Sequence, residues 1–72
     1  MAKYLFTFGI GTRYRQKCVI VECDDEILAR KYVYMKYGQN NVASVYDYEK
    51  FSYLIDKWQY SIMKEKKLWK NF

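Results

Sequence analysis

The sequence predicts a single α+β domain, with elements in the order β-β-α-β-α and a three-stranded antiparallel sheet in the order 2-1-3. Three short runs of aromatic and β-branched residues bounded by turn residues predict the strands, and two stretches with helical apolar spacing predict the helices. The chain has 72 residues, of which 51% are apolar and 21% aromatic. We therefore expect one folded domain over residues 1–72, with room for only a small core.

The first two strands are predicted to form a hairpin. Residues 3–8 are rich in aromatic and branched side chains and run into Gly9 and Gly11, which suit a turn. Residues 18–23 form the second β-branched run, after a polar stretch that carries Arg13 and Arg15. The two glycines do not form a phosphate-binding loop, because Tyr14 stands where the third glycine would be required.

A short helix is predicted to follow the hairpin. The acidic residues at positions 24–26 suit a helix start, and Gly38 suits its end. One side of this helix should pack on the sheet, through Leu28, Ala29, Tyr32, Val33 and Met35. Residues 42–46 then predict the third strand.

The last segment predicts a long amphipathic helix from about residue 48 to the C-terminus. Asp47 can cap it, and it contains neither glycine nor proline. Its apolar stripe consists of Phe51, Ile55, Trp58, Ile62, Trp69 and Phe72. A helix of some 22 residues spans about 33 Å, so its far end should overhang the sheet. Trp69 and Phe72 there either close the core or form an apolar interface, for a partner or for a homodimer through this helix.

The chemical inventory favours a protein that is not an enzyme. Histidine is absent, and Cys18 and Cys23 lie about 16 Å apart along one strand at ~3.3 Å per residue, too far for a disulfide. Their spacing matches no metal motif. We expect reduced, structural cysteines and neither a metal nor a cofactor.

The outer face of the predicted last helix combines basic and aromatic residues at intervals of seven. Its members are Lys50, Lys57 and Lys64, with Tyr53, Tyr60 and Lys67 beside them. Such side chains can neutralise phosphates and stack on bases, and Arg13 and Arg15 of the hairpin would extend the surface. The alternative is a solvated helix face that keeps the protein in solution.

Charge and hydropathy indicate the setting. Thirteen Lys and Arg against eight Asp and Glu give a net charge of +5, which favours an acidic partner. No stretch is long and apolar enough to span a membrane, and no cleavable leader is evident. We expect a cytoplasmic protein that does not contact membranes.

The first fifty residues or so resemble a group of very small phage and prophage proteins. The resemblance rests on the stretch KYLFTFGIG at residues 3–11, the strand that ends in an acidic cap, Ala29-Arg30, Tyr37-Gly38 and Tyr46. It implies a bacterial host cell during phage infection. Small phage proteins without catalytic residues commonly act there as anti-CRISPR or other anti-defence inhibitors.

Two functions follow as expectations. The first is a non-enzymatic inhibitor that binds and occludes a bacterial defence or nucleic-acid-processing complex, so that its partner is a host protein or a ribonucleoprotein. Because the chain is basic, mimicry of DNA is not expected. The alternative is a phage accessory protein that binds DNA or RNA through the lysine and tyrosine face.

Overall fold

The computed structural model describes residues 2–68, which form a four-stranded sheet with helices on both faces. The elements in chain order are β1 (Ala2–Phe8), β2 (Lys17–Cys23), α1 (Glu26–Tyr37), a 3₁₀ turn (Gln39–Asn41), β3 (Val42–Asp47), α2 (Tyr48–Phe51), α3 (Tyr53–Lys57) and β4 (Ser61–Lys67). The strand order is β3-β1-β2-β4. Strand β1 is antiparallel to both β2 and β3, whereas β4 is parallel to β2.

The predicted fold is wrong in its last third. Instead of one long C-terminal helix, the chain forms two short helices and a fourth strand, so the sheet is mixed and has four strands. The first three strands lie where the sequence places them, with β1 between β2 and β3. Because the described residues form no long C-terminal helix, the structure does not support the predicted homodimer contact through that helix. Trp69 and Phe72, the predicted apolar interface, lie outside the described residues.

Helix α1 forms where its local signals predict it. The Asp25 carboxylate accepts a hydrogen bond from the Ile27 amide at 2.9 Å, which caps the first turn. Gly38 ends the helix with a φ of 92°, and its amide donates to the Tyr34 carbonyl. Met35 does not pack on the sheet as predicted, because its side chain is 76% exposed.

The sheet separates two apolar clusters, since neighbouring residues of a strand point to opposite faces. The face under α1 carries the larger cluster, made of Phe6, Phe8, Val19, Val21, Cys23, Ala29, Tyr32, Val33 and Leu68. The opposite face carries Leu5, Cys18 and Ile20, against which Ile55 and Tyr60 pack. Cys18 and Cys23 are both buried and unpaired, and they belong to different clusters.

The turn after α3 explains the missing long helix. Gln59 has a φ of 56°, the Tyr60 amide donates to the Ile55 carbonyl at 2.9 Å, and the Gln59 amide donates to the Asp56 carbonyl. This pair of bonds is a Schellman motif, which commonly uses glycine at the left-handed position. With glutamine there, the sequence shows no stop signal. Trp58 and Ile62, predicted to lie on the apolar stripe of the long helix, are 56% and 45% exposed.

Strand β4 is fastened to β2 at both ends. The Ser61 amide donates to the Gln16 carbonyl, and the Leu68 amide donates to the Glu22 carbonyl, each at 2.8 Å. Beyond β4, Leu68 is only 2% exposed. The lysines and glutamate of β4 favour a helix by themselves. Pairing with β2 makes this segment a strand instead. Without β4, the outer backbone groups of the buried strand β2 would lack hydrogen-bond partners.

Candidate functional site

An open pocket with mostly aromatic walls lies on the α2–α3 face of the sheet. We call it the aromatic pocket. It encloses about 360 Å³ and is lined by Tyr46, Phe51, Tyr53, Leu54, Trp58 and Tyr60. Concave, largely apolar pockets of this kind are the usual form of a ligand site.

Short elements position these rings. Tyr46 lies near the end of β3, and the Asp47 carboxylate then accepts a hydrogen bond from the Glu49 amide at 3.0 Å, which starts α2 directly after the strand. As a result Phe51 returns to Tyr46, with ring centroids 5.2 Å apart and tilted by 41°. The Phe51 and Tyr53 rings are 6.3 Å apart. The rings therefore form one continuous wall.

The outer rings of the pocket are available to a ligand. Tyr53 and Trp58 are each 56% exposed, although large aromatic side chains are usually mostly buried. The Lys57 ammonium lies 6.0 Å from the centroid of the Trp58 ring, at the limit of a cation–π contact. Trp58 thus offers an accessible ring beside a positive charge.

The connection between β1 and β2 brings further positive charge to the end of the sheet at which β4 begins. We call Arg13, Arg15 and Lys17 the basic loop, and no acidic residue lies within residues 9–17. The Gln16 carbonyl accepts a hydrogen bond from the Ser61 amide. The basic loop therefore lies beside Ser61, which directly follows Tyr60 of the aromatic pocket.

Ring contacts anchor the basic loop to the core. The Tyr14 ring packs on Phe8 and Tyr37, with centroids 5.1 and 5.3 Å away. The Arg13 guanidinium lies 5.6 Å from the centroid of the Tyr14 ring. The loop is therefore attached to the α1-side cluster. Because this attachment already restricts the loop, its arginines lose less conformational freedom when a ligand binds.

The structure separates the predicted seven-residue repeat. Tyr53 and Tyr60 meet in the aromatic pocket with Lys57 beside it, and Lys50 is exposed on α2. Lys64 and Lys67 instead lie on β4, in register with Val19 and Glu22. Because those positions alternate across the sheet, the two lysines belong to opposite faces.

Of the six residues that line the pocket, the sequence predicts only Tyr53 and Tyr60 as site residues. Tyr46 and Leu54 are not among the predicted site residues, and the sequence places Phe51 and Trp58 on a helix stripe. Residues 46–60 contain six aromatic side chains, and this density was the available signal. Lys17 of the basic loop was also missed, because it was treated as part of the polar hairpin tip.

Charge is distributed unevenly around the aromatic pocket. Residues 47–57, which form one side, contain three acidic and two basic residues. The basic loop contains three basic residues and no acidic one, and β4 contains three lysines and one glutamate. A polyanion is therefore attracted to the side of the basic loop and β4, and not to the side of α2 and α3.

The thiol of Cys18 is poorly placed to act as a nucleophile. Burial, with a smaller contribution from Glu65, raises the pKa of the Cys18 thiol to about 11, so the nucleophilic thiolate is scarce at neutral pH. Within the described range no cluster of three or more Cys, Asp or Glu residues is placed to hold a metal ion.

A second, smaller pocket of about 110 Å³ lies near the other end of β4. It is lined by Lys3, Ile20, Glu22, Glu65, Lys66 and Lys67. Since its charged residues are of both signs, it selects neither anions nor cations as clearly as the basic loop does.

Comparison with known proteins supplies no relative from which a role could be transferred. Neither protein-family models, nor curated proteins, nor solved structures gave a match. Of the helices in residues 2–68, none is long and apolar enough to cross a membrane.

Proposed function

We propose that this protein is a non-enzymatic nucleic-acid-binding protein that acts in the cytoplasm of a phage-infected bacterium. The observation that carries the proposal is the hydrogen bond between Gln16 and Ser61, because it holds the basic loop beside the aromatic pocket. Rings that stack on bases and cations that neutralise phosphates are the two requirements for binding nucleic acid without sequence preference. The cytoplasmic, phage-related setting follows the resemblance of the first fifty residues.

The cations of this interface have distinct roles in the proposal. Arg15, which precedes Gln16, contacts a phosphate at the end of the pocket near Tyr60. Lys17 alternates with the buried Cys18, so it lies on the α1 face and only adds positive charge. Lys57, beside the Trp58 ring, adds a positive charge next to the base that stacks on this ring. Lys64 and Lys67, on opposite faces of β4, raise the local potential without contacting the same ligand segment.

Binding of fluorescein-labelled DNA and RNA, followed by anisotropy as a function of salt, tests this proposal. We expect binding that weakens steeply between about 50 and 200 mM salt, with a log–log slope of about −0.7 per phosphate contact for single strands. Arg15→Glu should weaken binding and flatten this slope.

Lys31→Glu is the matched control. Lys31 is exposed on α1, across the sheet from the aromatic pocket, and its substitution changes the net charge by the same amount. Equal losses in the two variants would show that only net charge matters, and absence of binding at low salt would refute the proposal.

A second candidate is the inhibitor of a bacterial defence or nucleic-acid-processing complex. It is favoured by the exposure of Trp58 and Tyr53, because tryptophan and tyrosine in a pocket are the usual centres of protein interfaces. In that case the aromatic pocket receives a side chain of the host protein.

Capture of partners from bacterial lysate, with and without nuclease, separates the two candidates. One stoichiometric protein that is retained after nuclease, and lost with Trp58→Ala, would favour the inhibitor. Recovery of mixed nucleic acid that is lost with Arg15→Glu would favour the nucleic-acid-binding protein.

A further inference from the structure

The size of the aromatic pocket limits what enters it. Its volume of about 360 Å³ lies at the low end of the ~300–1,000 Å³ found for small-molecule sites. None of its six lining residues is charged. A pocket of this size and lining has room for a flat ring system, and it offers no positive charge to a phosphate.

The described elements offer little to a duplex. A groove of DNA is normally entered by a helix or a two-stranded ribbon, and α1 is the only described helix longer than five residues. Asp24, Asp25 and Glu26 at its start repel phosphates. Arg30 forms an ion pair with Glu26 at 2.7 Å, so one of the few cations of α1 is already paired.

The pocket and the basic loop together define a path for a single strand. A base in the pocket leaves its sugar and phosphates at the rim. The segment that forms the α2–α3 side of the pocket contains Asp47, Glu49 and Asp56, whereas the residue after Tyr60 is hydrogen-bonded to Gln16, the neighbour of Arg15. The nucleic-acid strand therefore leaves the pocket past Tyr60 and toward Arg15 of the basic loop.

Resting on the proposed function, we propose that the aromatic pocket receives one unstacked base of a single-stranded nucleic acid, which stacks on Trp58 while an adjoining phosphate contacts Arg15. The ring and the phosphate are common to RNA and DNA, so both sugars are accommodated. The protein thereby distinguishes single strands from duplexes, whose bases stay stacked and paired.

Anisotropy titrations with four probes of about 12 nucleotides test this inference. The probes are single-stranded RNA, single-stranded DNA, the matching DNA duplex, and a DNA strand that keeps its phosphates but lacks all bases. We expect both intact single strands to bind at least about tenfold more tightly than the duplex. The strand without bases should bind as weakly as the duplex.

Variants of Trp58 give an independent readout. Trp58→Ala should weaken single-strand binding by about 5- to 100-fold, the usual effect of losing one stacked ring, and Trp58→Phe should retain most of the affinity. Met35→Ala, which removes an exposed apolar side chain on α1, should change nothing. The strand without bases tests stacking in the unaltered protein and does not depend on how well Trp58→Ala folds.

The outcomes separate this inference from the proposed function. Equal binding of single strands, duplex and the strand without bases would overturn the pocket inference and leave nucleic-acid binding in place. Binding of none of the four probes at low salt would overturn both. Preference for only one sugar would contradict the statement that both are accommodated.

Discussion

The Tyr60 amide donates its hydrogen bond to the Ile55 carbonyl at 2.9 Å, whereas in a continuing α-helix it would donate to Asp56. This shift of one residue ends α3 and turns the chain toward β4. It also places Tyr60 at the rim of the aromatic pocket, since Tyr60 and Ile55 pack on the same small cluster. The position of the candidate site thus depends on the left-handed conformation of Gln59.

Gln59→Gly should stabilise the protein. Gln59 has a φ of 56°, where a side chain is strained and glycine is not, so we expect the free energy of unfolding to rise by about 0.5–1 kcal/mol. Urea denaturation measures the change. Gln39→Gly is the control, because Gln39 lies in the 3₁₀ turn without a positive φ and should lose stability. If both variants were less stable than the wild type, the left-handed conformation of Gln59 would be contradicted.

Gly38→Ala should destabilise the protein by about 1–2 kcal/mol. Its φ is 92°, and an added Cβ would lie 3.2 Å from the Asn41 Nδ2. Gly11→Ala is the matched control, since nothing lies within 4 Å of a Cβ there. Thermal unfolding of the two variants should differ clearly, and the same melting temperature for both would count against the Gly38 geometry.

Leu68→Ala should cost about 2–4 kcal/mol, because Leu68 is 2% exposed and its loss leaves a cavity in the larger cluster. Ile62→Ala should cost less than about 1 kcal/mol, because Ile62 is 45% exposed. The long amphipathic helix predicted from sequence would reverse this order, because Ile62 lies on its apolar stripe and Leu68 does not. Chemical denaturation of both variants therefore distinguishes strand β4 from that helix.

Cys18 should make stability depend on pH in the alkaline range. Burial, and to a lesser degree Glu65, raises its pKa from 9.0 to about 11, so between these values the unfolded chain holds fewer protons than the folded one. The free energy of unfolding should fall as pH rises from 9 to 11.

Cys18→Ala provides the comparison for this effect. It lacks the thiol, so the stability difference between wild type and variant, measured by urea denaturation, should shrink over the same interval. A difference that stays constant with pH would show that Cys18 titrates normally. At neutral pH, alkylation of Cys18 should be slow until the protein is unfolded.

Local signals identified the first two thirds of the fold. Alternation and branching in residues 3–8 and 18–23 predicted β1 and β2, and Asp25 caps α1 as expected. These features depend on neighbours within a few residues. Strand β4 does not, because Lys17 pairs with Ser61 across most of the chain, and no short window of sequence contains that information.

The candidate site was identified only in part, for the same physical reason. Tyr53 and Tyr60 were selected from a helical repeat that the structure does not contain, yet both line the aromatic pocket. The sequence places Trp58 on the apolar stripe of that helix, because it shows no signal for the turn at Gln59. Arg13 and Arg15 were selected for their charge, and their place beside Ser61 follows from the pairing of β2 with β4.

The outer edge of β4 bears on how copies of this protein behave toward one another. No strand of residues 2–68 covers that edge, and open edges of sheets recruit further strands and cause aggregation. Edge-to-edge pairing would bring Lys64, Lys66 and Lys67 of two copies together across about 4.8 Å, well within the ~8 Å screening length at physiological salt. Mutual repulsion of these lysines therefore opposes edge-to-edge pairing through β4, and concentrated salt weakens this repulsion.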